Sequence, residues 1–280
     1  MKRGKVVKIY LKDGSINGYA EAELLNWNAK AIRVPRSLID KDKLTKLELA
    51  GVYFLFCVDE DNNKSVYIGE SDNIAKRLKQ HLRMSASGKE SFYWNMALVF
   101  VGEQLNKTYV RYLEHRLVEI TLMSGNYGCL TKTTSPNVTI PDSDRDVMEE
   151  FINNMHIIIS NLGYNVLDVA ESADKDDIIF YCKRNNSDAK SFLTNNGLTV
   201  QKGSVISDHE TPSFAESPSK KLKEKLISSG VIVGNKFVKD YEFKTPSAAA
   251  SVVCGSPANG VNQEWRDKSG RTIGGVMESV

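Results

Sequence analysis

The sequence predicts an α+β protein: a small antiparallel sheet flanked by helices, with a β-rich N-terminal extension and a separate small α+β domain at the C-terminal end. Three observations carry this. Two runs rich in Val, Ile, Tyr and Phe, Gly51 to Val58 and Ser65 to Gly69, flank the polar Asp59-Glu60-Asp61-Asn62-Asn63-Lys64, the pattern of a β-hairpin. Apolar residues at helical spacing follow it twice, at Ile74, Leu78 and Leu82 and again at Val110, Leu113, Leu117 and Ile120. Beyond Gly163 the chain turns acidic and then resumes with short strand-like runs, which marks a domain boundary.

Taken in order, residues 1–45 open with an alternation from Lys5 to Leu11 closed by Asp13-Gly14, then apolar groups at Ala20 to Trp27 and Ala31 to Pro35. Trp27 reads as a core aromatic, with a contact to nucleic acid through Trp27, Arg33 and Arg36 as the alternative. The charged Asp40-Lys41-Asp42-Lys43 links this lead-in to the hairpin. Residues 46–165 form the next domain. After the hairpin, Ser71 or Asp72 caps a helix whose Ile74, Leu78 and Leu82 face the sheet, while Arg77 and His81, four apart, share a neighbouring face. Ala97 to Val101 reads as a buried central strand. A second helix runs from Lys107 to Met123 and stops at Gly125, with Glu114 at the edge of its apolar stripe. That carboxylate is either an ion-pair partner of Arg111 or Arg116, or is held for a purpose. Ser143 with Asp146 resembles a capping box opening a helix to about Leu162, with Val147, Phe151, Met155, Ile158 and Ile159 as core positions.

Residues 166–219 read as a linker and small β-rich segment, with strands at Ile178 to Cys182 and Leu198 to Val200 and an exposed loop from Ser207 to Ser219. Residues 220–280 form the accessory domain, beginning with a lysine-rich helix from Lys220 to Ile227. Lysines 220, 221, 223, 225, 236, 239 and 244 outnumber Glu224, Asp240 and Glu242 there, so the face either grips a phosphate backbone, Lys220 and Lys221 foremost, or is simply solvated.

Composition narrows the class. With 41% hydrophobic and 26% charged residues the chain is of globular type, and no apolar run approaches the roughly 20 residues of a membrane span. A basic start followed by alternation, with no apolar signal core, places it in the cytosol. The net charge of +2 does not by itself announce nucleic-acid binding. The charge is uneven: Asp142 to Ile178 carries ten Asp or Glu residues against Arg145 and Lys175, a patch expected to face away from phosphates. Cys57, Cys129, Cys182 and Cys254 are scattered, with no Cys-x-x-Cys spacing, and read as buried free thiols.

Gly51-Val52-Tyr53 and, after a gap of 13 residues, Tyr67-Ile68-Gly69 resemble the signature of the GIY-YIG nuclease superfamily, with Val52 in place of the first isoleucine and a somewhat long gap that a longer turn accommodates. The family's other marks follow in order at Arg77, His81, Glu114 and Asn137. The tail from Pro246 to Gly255 with Asn259-Gly260, Trp265 and Ser269-Gly270-Arg271-Thr272 resembles a domain of unknown function appended to some of these proteins.

The resemblance implies a metal-dependent endonuclease acting on DNA, one strand per active site, so that cutting both strands takes a homodimer or a second binding event. It implies that Glu114 binds a divalent cation, Mg²⁺ or else Mn²⁺, and that Arg77 holds the scissile phosphate with its planar fork. Tyr53 or Tyr67 would take the proton from water, with His81 helping to lower the phenol's pKa, and Asn137 would orient the active-site loop. Lys64 and Lys76 are candidate phosphate contacts, although a turn lysine and a helix lysine are ordinarily solvated. A non-cleaving nucleic-acid-binding module and an RNA-directed nuclease are the alternatives.

Overall fold

In a computed structural model, residues 4–39, 45–60, 62–132, 134, 138–169 and 177–278 are described. The chain divides into two compact units, 1–169 and 170–280. It is an α+β protein with a β-rich N-terminal region and a small sheet-and-helix region at its C-terminal end.

The first unit is built on one sheet. Its strands are β1 (Val7–Leu11), β2 (Ala20–Leu24), β3 (Ala29–Pro35), β4 (Gly51–Val58), β5 (Lys64–Ser71), β6 (Met96–Gly102) and β7 (Gly128–Cys129), in the order β1-β2-β3-β6-β4-β5-β7. The N-terminal strands are therefore continuous with the hairpin sheet and do not form a layer of their own. The cause is β3, which pairs with β6 along its whole length, from Ala29↔Gly102 to Pro35↔Met96, and so leaves the central strand no open edge. The sheet is antiparallel except at its end, where β7 runs parallel to β5. The linker Asp40-Lys41-Asp42-Lys43 lies outside the described residues.

Strand alternation gives the sheet two faces. Val52, Phe54, Phe56, Val66 and Ile68 point to one side, where α2 (Lys107–Ser124) and α3 (Asp142–Asn161) bury Leu113, Leu117, Phe151 and Met155 against them. Trp27 joins this core, its ring 4.8 Å from Phe151. Tyr53, Leu55 and Cys57 point the other way, onto α1 (Ile74–Ala86) and the buried Trp94.

Three local expectations change. The cap of α1 is Asn73, whose side chain accepts from the Lys76 N–H; Ser71 instead donates its hydroxyl to the Asn73 carbonyl. Pro141 sits at the start of α3 and no side chain caps it, so Ser143 falls inside the first turn and Val147 turns outward at 61% exposure, while Met148 and Ile152 take the core positions. By contrast, α2 ends where its glycine predicts, with Gly125 left-handed at φ 65°.

The second unit holds β8 (Phe180–Cys182), β9 (Ala189–Leu193), β10 (Leu198–Val200), α4 (Pro212–Ala215), α5 (Pro218–Ser228), β11 (Ile232–Val233), β12 (Lys236–Phe237), β13 (Tyr241–Phe243), α6 (Pro246–Cys254) and α7 (Ile273–Met277). Its main sheet runs β13-β10-β9-β8, so strands from the segment read as linker pair with the accessory domain's own β13. The loop expected to be exposed from Ser207 to Ser219 contains the short α4, because Phe214 inserts fully into the interior. Cys182 and Cys254, 72 residues apart, bring their sulfurs to 3.3 Å, and Glu264 lies beside them with its carboxylate engaged by Arg184 Nη1 at 2.5 Å.

Candidate active site

The two tripeptides lie side by side because β4 and β5 pair with Tyr53 opposite Gly69 and Leu55 opposite Tyr67. Both phenols therefore share a face, with ring centroids 6.2 Å apart. The glycines are demanded by close approach. A β-carbon on Gly69 would collide with the hydroxyl end of Tyr53, and one on Gly51 with the Phe100 carbonyl of the neighbouring β6.

Helix α1 supplies the next two groups. His81 falls within its buried stripe, beside Ile74 and Leu78, and Leu82 is only half-buried. The imidazole Nε2 is 2.9 Å from the Tyr53 hydroxyl, and its ring centroid lies 5.4 Å from that of Tyr67. One turn earlier, half-buried Arg77 donates from Nε to the Tyr53 oxygen at 3.1 Å and from Nη1 to Gln80 at 2.7 Å, and its guanidinium acts electrostatically on both phenols. On the far side of His81, Nδ1 meets the carboxylate of Glu90, whose side chain is 2% exposed. Glu90 lies in the polar stretch after α1, where no periodicity marks it; its one signal in the sequence is an acid beside the aromatic run Phe92-Tyr93-Trp94.

From α2, Glu114 presents a carboxylate that is 6% exposed and close enough to act on the Tyr53 phenol. On the same helix, Arg111 faces Glu70 at 3.8 Å, and Arg116 is held by Glu149 at 2.7 Å and by Glu119. Tyr53, Tyr67, Arg77 and His81 are thus gathered at one place from three elements, and Glu114 acts electrostatically on Tyr53 from a fourth. Asn137 lies outside the described residues. Lys64, exposed at the start of β5, sits 5.8 Å over the Tyr127 ring, and Lys76 is exposed on the first turn of α1. Lys220 and Lys221 belong to the second unit, where Lys220 is tied to Glu210 at 2.7 Å and Glu224 at 3.7 Å, and Lys221 is exposed. The lysine-rich helix is therefore partly neutralised by its own unit.

Burial decides the protonation states. It pushes the Tyr53 phenol well above its ordinary value, with Tyr67 and Glu114 adding to the effect and Arg77 opposing it. At Tyr53 the pull of Arg77 toward a phenolate is outweighed, because the hydroxyl is wholly enclosed and the loss of water counts for more. Burial likewise lowers the His81 pKa, with Arg77 and Arg36 adding to it and Glu90 opposing, so the imidazole is held neutral near pH 7. Tyr67 differs from Tyr53 in being only half-buried.

Residues 49–121 match the GIY-YIG catalytic domain, and residues 180–277 match a domain of unknown function, DUF4357. The chain thus carries a nuclease-type domain in its middle, of a kind that acts on nucleic acid and generally depends on a divalent metal. No curated protein and no solved structure matches the chain.

Proposed function

We propose that this chain, with a GIY-YIG catalytic domain at its centre, is a metal-dependent endonuclease that hydrolyses phosphodiester bonds in DNA, one strand per active site. The observation that carries the reading is the convergence on one phenol: the Arg77 guanidinium hydrogen-bonds Tyr53, and the Glu114 charge acts on the same group. A cation-binding carboxylate and a phosphate-binding fork drawn from different helices are what this hydrolysis needs.

Glu114 fits a divalent cation, because a buried carboxylate is the hard oxygen donor that Mg²⁺ or Mn²⁺ takes, with water completing the shell. When bound there, the cation would neutralise charge building on the phosphoryl oxygens. Arg77 holds the scissile phosphate. Tyr67, the phenol with a route to solvent, gives up its own proton to solvent and as the phenolate takes the proton of the attacking water, while Tyr53, enclosed and protonated, serves to hold Arg77 and His81 in place. Lys76 and Lys64 offer further phosphate contacts within the first unit, and Lys220 and Lys221 offer separate ones on the second unit. Cutting both strands takes a homodimer or two successive events.

The test is to incubate supercoiled plasmid, and separately a structured RNA, with the full chain and Mg²⁺ or Mn²⁺, alongside Glu114→Ala and Arg77→Ala. Metal-dependent nicking that falls by on the order of 10²-fold or more in each variant is the expected result. DNA binding without cleavage, unchanged in either variant, would make the fold a recognition module, and cleavage of RNA alone would replace the substrate.

A further inference from the structure

The polar groups on the α1 side of the sheet form a single file: Arg77 Nε, the Tyr53 hydroxyl, the His81 imidazole and the Glu90 carboxylate. We propose that Glu90 is a positioning residue which, acting through His81 and Tyr53, fixes the orientation in which Arg77 offers its guanidinium to phosphate. What Arg77 binds rests on the nuclease reading; the file itself does not.

The argument is one of donors and acceptors. A guanidinium only donates and a carboxylate only accepts, whereas a phenol and a neutral imidazole each do one of both. With a pure donor at one end and a pure acceptor at the other, every link has one permitted direction. Arg77 Nε–H donates to the Tyr53 oxygen, the Tyr53 O–H to His81 Nε2, and His81 Nδ1–H to Glu90. Reversing any link sets two protons or two lone pairs against each other. No solvent can relieve the conflict, since Tyr53 is 0% exposed and the side chains of His81 and Glu90 are 3% and 2% exposed. Glu90 thereby selects the Nδ1-protonated tautomer, which keeps Nε2 as an acceptor, which turns the phenol proton away from Arg77 and leaves the oxygen's lone pair to receive it. The held-down His81 pKa keeps the imidazole in the neutral form that this order requires.

Glu90→Leu removes the acceptor at the end of the file. His81 then protonates Nε2, that proton points at the Tyr53 oxygen, the phenol proton is turned toward Arg77, and the Arg77 Nε–Tyr53 bond is lost while the one to Gln80 remains. Two readouts do not depend on activity: the long-range ¹H–¹⁵N spectrum of His81, assigned by its loss in His81→Gln, and the Arg77 Nε–H resonance. The wild type is expected to show His81 protonated at Nδ1 and a slowly exchanging Arg77 Nε–H. In Glu90→Leu the proton moves to Nε2, the Arg77 signal goes into fast exchange, and cleavage falls by on the order of 10²-fold, with partial recovery in Glu90→Asp. Finding the wild-type proton on Nε2 would overturn the proposal without any variant having to fold. So would a folded Glu90→Leu that keeps the Nδ1 tautomer, the protected Arg77 signal and full cleavage. A wild type that cuts no nucleic acid defeats the nuclease reading, and the two spectra still decide the role of Glu90.

Discussion

The two faces of the central sheet are made by the same strands and differ in which parity of residue each receives. On one face Val52, Phe54, Phe56, Val66 and Ile68 meet the apolar sides of α2 and α3. On the other, Tyr53 and Tyr67 meet α1, and the interior includes the hydrogen-bonded file from Arg77 to Glu90. The difference teaches what each kind of core can do. Hydrocarbon contacts are non-directional and tolerate repacking, so the first face supplies stability. Buried hydrogen bonds contribute less net energy, but each must be satisfied, so the second face fixes orientation.

That contrast can be broken from either side. Phe54→Ala, which empties the apolar face, should cost about 3–5 kcal/mol by chemical denaturation, with whatever folded protein remains keeping the His81 tautomer. Equal damage to the tautomer would mean that the faces are not separable. Gly69→Ala drives a β-carbon into the Tyr53 phenol and should cost about 1–3 kcal/mol, with a loss of cleavage out of proportion to the loss of stability. A folded, fully active Gly69→Ala would show that the phenol need not stand where it does. Tyr53→Phe keeps the ring and removes the central link, leaving His81 Nε2 and Arg77 Nε without it; about 1–2 kcal/mol is expected, together with fast exchange of the Arg77 Nε–H.

Acid sharpens the same comparison. Because burial depresses the His81 pKa, the unfolded chain binds a proton that the folded chain refuses, so stability is full above about pH 6.5 and falls as the pH drops from there toward the lowered value. His81→Gln should flatten that part of the melting temperature profile, and an unchanged profile would show that His81 is not the group titrating. The smallest effect is expected outside both faces, where Val147→Ser, at a side chain 61% exposed on α3, should change stability by no more than about 0.5 kcal/mol.

Much of this was legible in the residues themselves. The hairpin pattern placed Tyr53 and Tyr67 on adjacent strands, and four-residue spacing placed Arg77 beside His81 on one helix. The errors arose where local rules compete with packing. Val147 fits a helical stripe, but Pro141 starts α3 so that Met148 and Ile152 face inward. Phe214 sits among Pro and Ser residues that signal a loop, and the interior claimed it regardless.

What sequence alone determined is whatever depends on periodicity along one strand or helix: the hairpin, the two helices and which of their residues share a face. Tertiary structure decided which groups separated in sequence meet. Glu90 reaches His81, β3 closes onto β6, and Tyr53 is sealed from water while Tyr67 is not. The physical reason is that backbone geometry repeats over a few residues and can be read locally, whereas desolvation and the pairing of a buried donor with its acceptor depend on everything packed around them, which no local pattern records.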